Sequence, residues 1–105
     1  MLWSHFLAYF FAGAFSGNFV PHFVSGVLGH TFPTPFASPP FRGPSSSRVN
    51  VLYGLGNLTV AYALLSRVGC FEPRSALHAG VFGLGLAAMS LLITRSLARI
   101  QGGQG

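Results

Sequence analysis

Residues 75–94 read SALHAGVFGLGLAAMSLLIT. The stretch holds no Asp, Glu, Lys or Arg, and about 20 such residues carry an α-helix across a hydrocarbon core of about 30 Å. Arg74 precedes it, and Arg95 and Arg99 follow one turn apart. Arginine at the rim of an apolar block sends its guanidinium to water and phosphate while its stem stays in the apolar layer. Upstream, Glu72-Pro73 has the form of a helix opening, with a carboxylate at the positive end of the dipole and proline in the first turn. The third span is therefore expected over about residues 73–95.

Working outward, residues 49–66 read VNVLYGLGNLTVAYALLS between Arg48 and Arg67. At 1.5 Å per residue this second span is about 27 Å long. Before it, no residue from Met1 to Phe41 is acidic, Lys or Arg, and the block from Leu2 to about Leu28 is rich in Phe, Ala, Gly and Val. Pro21 removes the backbone hydrogen bond to Gly17. The first span, about 2–28, is thus expected either to kink there and run on to Gly29 or to end there, which leaves a broken or re-entrant inner end as one outcome. Residues 30–47 hold five prolines, with Phe32, Phe36 and Phe41 among them. Proline denies this stretch a helix and phenylalanine denies it a free existence in water, so it is expected at the lipid–water interface. Ser45-Ser46-Ser47 offers N-cap oxygens to span two.

The resulting expectation is an all-α integral membrane domain over residues 1–100. It has three transmembrane helices, a Pro/Phe-rich interfacial loop between helices 1 and 2, and a flexible tail at 101–105. Composition agrees: half of the 105 residues are hydrophobic and 7% are charged, against about 25% charged in an ordinary soluble domain. A cleaved signal peptide is disfavoured. Ala12-Gly13-Ala14 has the small residues of a cleavage site, but no Lys or Arg precedes the apolar block, which runs on past it. The net charge of +5 does not indicate a nucleic-acid binder, because the Arg residues are scattered at the ends of apolar blocks and form no patch. Three spans place Arg42, Arg48, Arg95 and Arg99 on one side, and Arg67 and Arg74 with the N-terminus on the other. The positive-inside rule then favours N-out, C-in.

Small residues form the clearest pattern. Gly13 and Gly17 make a GxxxG pair. Asn50, Gly54, Asn57 and Ala61 share one face of span two, and Gly80, Gly83, Ala87 and Ser90 share one face of span three. Small faces let helices approach closely, and amides on them hydrogen-bond across the gap. Gly13, Gly17, Gly54, Gly80 and Gly83 are therefore the expected packing positions, serving first the chain's own three helices. Asn57-Leu58-Thr59 matches a glycosylation acceptor but lies inside a span.

Ionisable side chains within a membrane are functional candidates by default. Depth places His22 with Asn18, Asn50 and Asn57 toward the inner leaflet, as a polar cluster that either bonds the helices together or lines a ligand pocket. His5 and His78 lie at the opposite rim near Cys70, where a metal or haem would have to bind. Four N or S ligands complete a zinc site, and three side chains are at hand there. No Asp, Glu or Lys lies within a span, so the usual proton-coupled transport carboxylate is missing. Paired-carboxylate catalysis is excluded by a single acidic residue, Glu72. No phosphate loop, GxSxG or HExxH motif occurs. An enzyme is thereby disfavoured.

The run PHFVSGVLGHTFPTPFASPP at residues 21–40, followed after a serine-rich turn by NVLYGLGN at 50–57, resembles short bacterial inner-membrane proteins of unassigned function that share a PHF…FPTPFA…PP…NVLWG-like core. Tyr53 stands where that pattern has Trp. The resemblance covers about a third of the chain and implies a bacterial inner membrane, but no activity, cofactor or catalytic residue. Three functions stay open. The first is an accessory or scaffolding component working by helix association with itself or a larger complex. The second is a binder of haem, quinone or lipid. The third is a transporter or channel formed by oligomerisation.

Overall fold

The structure is a computed structural model that describes residues 3–101. It is mostly helical: α1 Trp3–Val27, α2 Ser47–Ala63 and α3 Ala76–Gln101. A pair of two-residue strands, β1 Phe32–Pro33 and β2 Pro44–Ser45, closes the loop between α1 and α2, pairing antiparallel with Phe32 opposite Ser45. The prolines that deny this segment a helix leave room for the β pair, which was not expected. Residues 102–105 of the expected tail lie outside the described residues, and Gln101 closes α3.

Pro21 does not end α1, which continues as helix to Val27. Of the two expected outcomes the helix runs on past the proline, and an ending at Pro21 is corrected. One lost hydrogen bond is offset by packing on both flanks of the helix. α1 ends at Val27, and the chain turns away at Gly29, whose φ of 79° lies in the left-handed region. His30 N–H bonds Ser25 C=O at 2.8 Å and Gly29 N–H bonds Gly26 C=O at 3.0 Å. That pair of bonds is a Schellman cap, which uses glycine for its left-handed residue.

At the start of α2 the N-cap is Ser46, its hydroxyl accepting from Val49 N–H at 3.2 Å. The helix then widens into a π turn over Leu64–Val68. The opening of α3 also differs from expectation. Glu72 and Pro73 precede the helix, and Ser75 caps it, accepting from His78 N–H at 3.2 Å. From outside the helix, the Glu72 backbone N–H donates to the His78 imidazole, 3.0 Å away.

α1 is the middle helix. It packs along α2 on one side and α3 on the other, while α2 and α3 scarcely touch. Contacts of Gly26 with Val51, of Gly54 with Phe23 and Phe19, and of Asn18 with Asn57 run in opposite directions along the two chains, so α1 and α2 are antiparallel. Tyr9 meets His78, Gly13 meets Phe82 and Gly17 meets Met89, so α1 and α3 are parallel. The loop and the end of α3 thus share one end of the molecule, which is 42 Å long.

Close approach is glycine-dependent, but not wholly at the expected glycines. A Cβ at Gly13 would overlap the Phe82 carbonyl, one at Gly17 would lie 3.1 Å from the Leu86 carbonyl oxygen, and one at Gly54 would lie 3.0 Å from Phe23 N. Gly80 and Gly83 have nothing within 4 Å, so they pack against neither of the chain's other two helices. α3 is rotated so that His78, Phe82, Gly85 and Met89 face α1, and it is Gly85 that meets the Phe10 carbonyl. Sequence spacing shows that small residues share a face, but not which of two small faces the neighbour takes.

The outward surfaces are apolar. On α3, Leu77, Leu84 and Leu91 are 61%, 64% and 70% exposed, and Leu52, Leu55 and Leu58 line the outside of α2. Two helical segments, Ser47–Val68 and Ala76–Arg99, are long and apolar enough to cross a membrane. α1 is also long, at 25 residues, but its Asn18, Pro21 and His22 lower its apolar character.

Candidate functional site

The polar residues of α1 point at α2, because α2 offers the matching amides. His22 is 5% exposed and Asn50 fully buried, with His22 Nδ1 2.7 Å from Asn50 Oδ1. The Asn50 amide orientation is fixed by its other end. Asn50 Nδ2 faces the carbonyls of Phe32, Ser45 and Ser46 at 3.0, 3.2 and 3.0 Å. Only the amide nitrogen can donate to carbonyls, so Oδ1 must accept, and His22 must carry its proton on Nδ1. One side chain thereby ties α1, α2 and both strands of the loop together.

About one turn toward the middle of the bundle, Asn18 Nδ2 donates to Asn57 Oδ1 at 3.0 Å and to the Tyr53 hydroxyl at 3.4 Å. Asn57 Nδ2 in turn donates to the Tyr53 carbonyl at 2.8 Å. The four residues read from the sequence as a polar cluster therefore form two couples, His22 with Asn50 and Asn18 with Asn57, along the α1–α2 seam. Tyr53 was missed as a member. Its ring stands edge-on to His22, with centroids 4.7 Å apart, and to Phe36 at 5.6 Å. Its position, three residues after Asn50 and four before Asn57, was the available signal.

The loop is held from within by Thr34, which is fully buried. Its hydroxyl bonds the Ser45 hydroxyl and accepts from Phe36 N–H at 3.1 Å. Its carbonyl accepts from Ala37 N–H at 3.1 Å and Phe41 N–H at 2.8 Å. Phe36 and Phe41 project outward, 71% and 63% exposed.

Every buried side-chain nitrogen and oxygen among the described residues has a hydrogen-bond partner. His22 Nε2 has no partner among the hydrogen bonds of the described residues, so it reaches accessible surface. His22 lines a cavity of about 310 Å³ beneath the loop, walled by Asn18, Phe32, Tyr53, Leu92 and Ile93. The hollow is mostly apolar with a few converging polar groups, the usual character of a ligand pocket.

The other histidine pair lies at the far end. His5 and His78 both neighbour the buried Tyr9, with ring centroids 6.5 and 4.5 Å away. The Tyr9 hydroxyl accepts from Cys70 N–H at 3.0 Å, and His78 Nδ1 accepts from Glu72 N–H. Tyr9 and His78 thus clasp the α2–α3 turn onto the start of α1. Cys70 itself is free and exposed. Among the described residues no three His, Cys, Asp or Glu side chains are grouped to hold a metal ion. Comparison with family models, with curated proteins and with solved structures gave no match.

Proposed function

We propose that this chain is a three-span integral membrane protein of a bacterial inner membrane, oriented N-out and C-in, that acts by helix association as an accessory component of a membrane complex. The observation that carries this is the free face of α3. Gly80, Ala87 and Ser90 are exposed and Gly83 is open to a Cβ, while the opposite face is taken by α1. In lipid, where apolar residues alone give helices no reason to associate, such a face is the kind that binds a neighbouring helix. Support for α1 as the third span comes from its place between two apolar helices and its length, about 37 Å at 1.5 Å per residue.

Co-purification from membranes in a mild detergent tests the reading. Wild type should bring down a second copy or a stoichiometric partner, and Gly83→Leu should release it without lowering the thermal stability of the isolated chain. Wild type that purifies alone and monomeric would defeat it. A second reading, ligand binding, is favoured by the cavity that His22 lines.

A further inference from the structure

Two cavities meet at the loop end of the bundle. One, of about 580 Å³, is lined by Arg42 and Arg99 together with Pro40, Phe41 and Ser96. The other is the 310 Å³ hollow beneath the loop, which shares Phe41 and Ser96 with it and continues inward past Leu92, Ile93 and Met89. The wall therefore changes from two guanidiniums to hydrocarbon over a short path. The chain has one acidic residue, Glu72, and it sits in the α2–α3 turn at the opposite end. No carboxylate side chain of this protein can answer the two arginines.

Phe41, where the cavities join, has a φ of 64°. A bulky residue rarely adopts that region, and such outliers cluster at ligand sites. Deeper in, the Tyr53 hydroxyl accepts from Asn18, and its own hydrogen has no acceptor among the hydrogen bonds of the described residues, which leaves a donor on the wall.

We propose that the joined cavities bind one anionic phospholipid, with its phosphate between Arg42 and Arg99, a glycerol ester carbonyl at the Tyr53 hydroxyl, and an acyl chain against Leu92 and Ile93. Arginine suits the head because its planar fork matches phosphate oxygens, and basic pockets between membrane helices take such headgroups. The proposal rests on the membrane reading of the chain. It is separate from topology, since Arg48 and Arg95 lie at the same end but line neither cavity.

The test uses the full chain in mild detergent, with lipid binding read by native mass spectrometry. Phosphatidylglycerol should bind about tenfold or more tightly than phosphatidylcholine of the same chains, given roughly a fivefold gain for each well-placed arginine near a membrane surface. R42Q/R99Q should erase that preference, whereas R48Q/R95Q, which removes the same charge, should keep it. Ser96→Phe, which leaves every charge in place and fills the shared wall, should abolish binding. Equal loss in the two double variants, no preference in wild type, or unchanged binding in Ser96→Phe each overturns the proposal. So does inorganic phosphate that raises Tm as much as phosphatidylglycerol does, because the ligand would then be a soluble anion. Failure of the membrane reading is distinguishable, because alkaline carbonate would then strip the chain from membranes.

Discussion

Alanine at Gly85 and alanine at Gly83 should move stability in opposite directions, though the two sites lie two residues apart in one helix. Replacing an interior helical glycine by alanine gains about 0.5–1 kcal/mol from lost freedom in the unfolded chain. At Gly83 nothing lies within 4 Å of the new Cβ, so this gain should stand alone. At Gly85 the Cβ would overlap the Phe10 carbonyl oxygen and lie 2.8 Å from its carbon and 3.1 Å from Ala14 N. Those are backbone atoms of a helix fixed on both sides, so relief requires α1 and α3 to separate along their length. Overpacking of this sort costs about 1–3 kcal/mol, and an obstacle that cannot rotate away places the cost near the upper end. The net expectation is a loss of about 2 kcal/mol for Gly85→Ala and a gain below about 1 kcal/mol for Gly83→Ala. At about 4–8 °C per kcal/mol for a domain of this size, Tm should fall by about 10 °C in the first and rise by a few degrees in the second. Thermal unfolding followed by intrinsic fluorescence, in detergent that keeps the chain monomeric by light scattering, reads both. Equal losses in the two variants would refute the rotation of α3 described above.

Asn50→Ala should cost about 3–5 kcal/mol, from hydrogen bonds worth about 1 kcal/mol each plus a buried His22 donor left unanswered. In a cycle with His22→Ala, non-additivity of about 1 kcal/mol should appear in chemical denaturation, and strict additivity would argue against the contact. Gly29→Ala should cost about 1 kcal/mol, since its surroundings are open and only the left-handed backbone resists; a neutral Tm would speak against the cap. Cys70, the single cysteine and exposed, reports orientation. An impermeant maleimide should label it in spheroplasts of intact cells if the chain is N-out, and labelling only after lysis would reverse the assignment.

The helical class and the approximate helix positions were legible because uncharged blocks bounded by arginine have few alternatives. His22, Asn50, Asn18 and Asn57 were legible as candidates because buried amides in apolar helices are conspicuous. What spacing could not supply was rotation and capping. Gly80 and Gly83 share a face as convincingly as any residues in α3, yet its contact face is set by where Phe82 and Gly85 meet the α1 backbone. Glu72-Pro73 has the form of a helix start, but α3 begins at Ala76 with Ser75 as its cap, and Glu72 donates its backbone N–H to His78 from outside the helix. Thr34 carried no signal: a threonine between prolines reads as loop, and its role depends on Ser45 arriving from beyond the turn. Pro21 left continuation and termination both open, since a lost backbone bond is a local fact while the persistence of α1 is decided by two neighbouring helices.

The central position of α1 bears on how the chain is made. On the three-span reading, α1 leaves the ribosome before either helix that flanks it. Its Asn18 and His22 then face lipid or translocon without the amides of α2 to answer them. Polar groups at depth weaken insertion of a lone segment, so α1 by itself should be a poor stop-transfer or anchor sequence, and its residence in the bilayer should become favourable only after Asn50 and Asn57 have been synthesised. Biogenesis would then commit late, with α1 and α2 entering as a hairpin, and a chain truncated before residue 50 should be a substrate for membrane quality control.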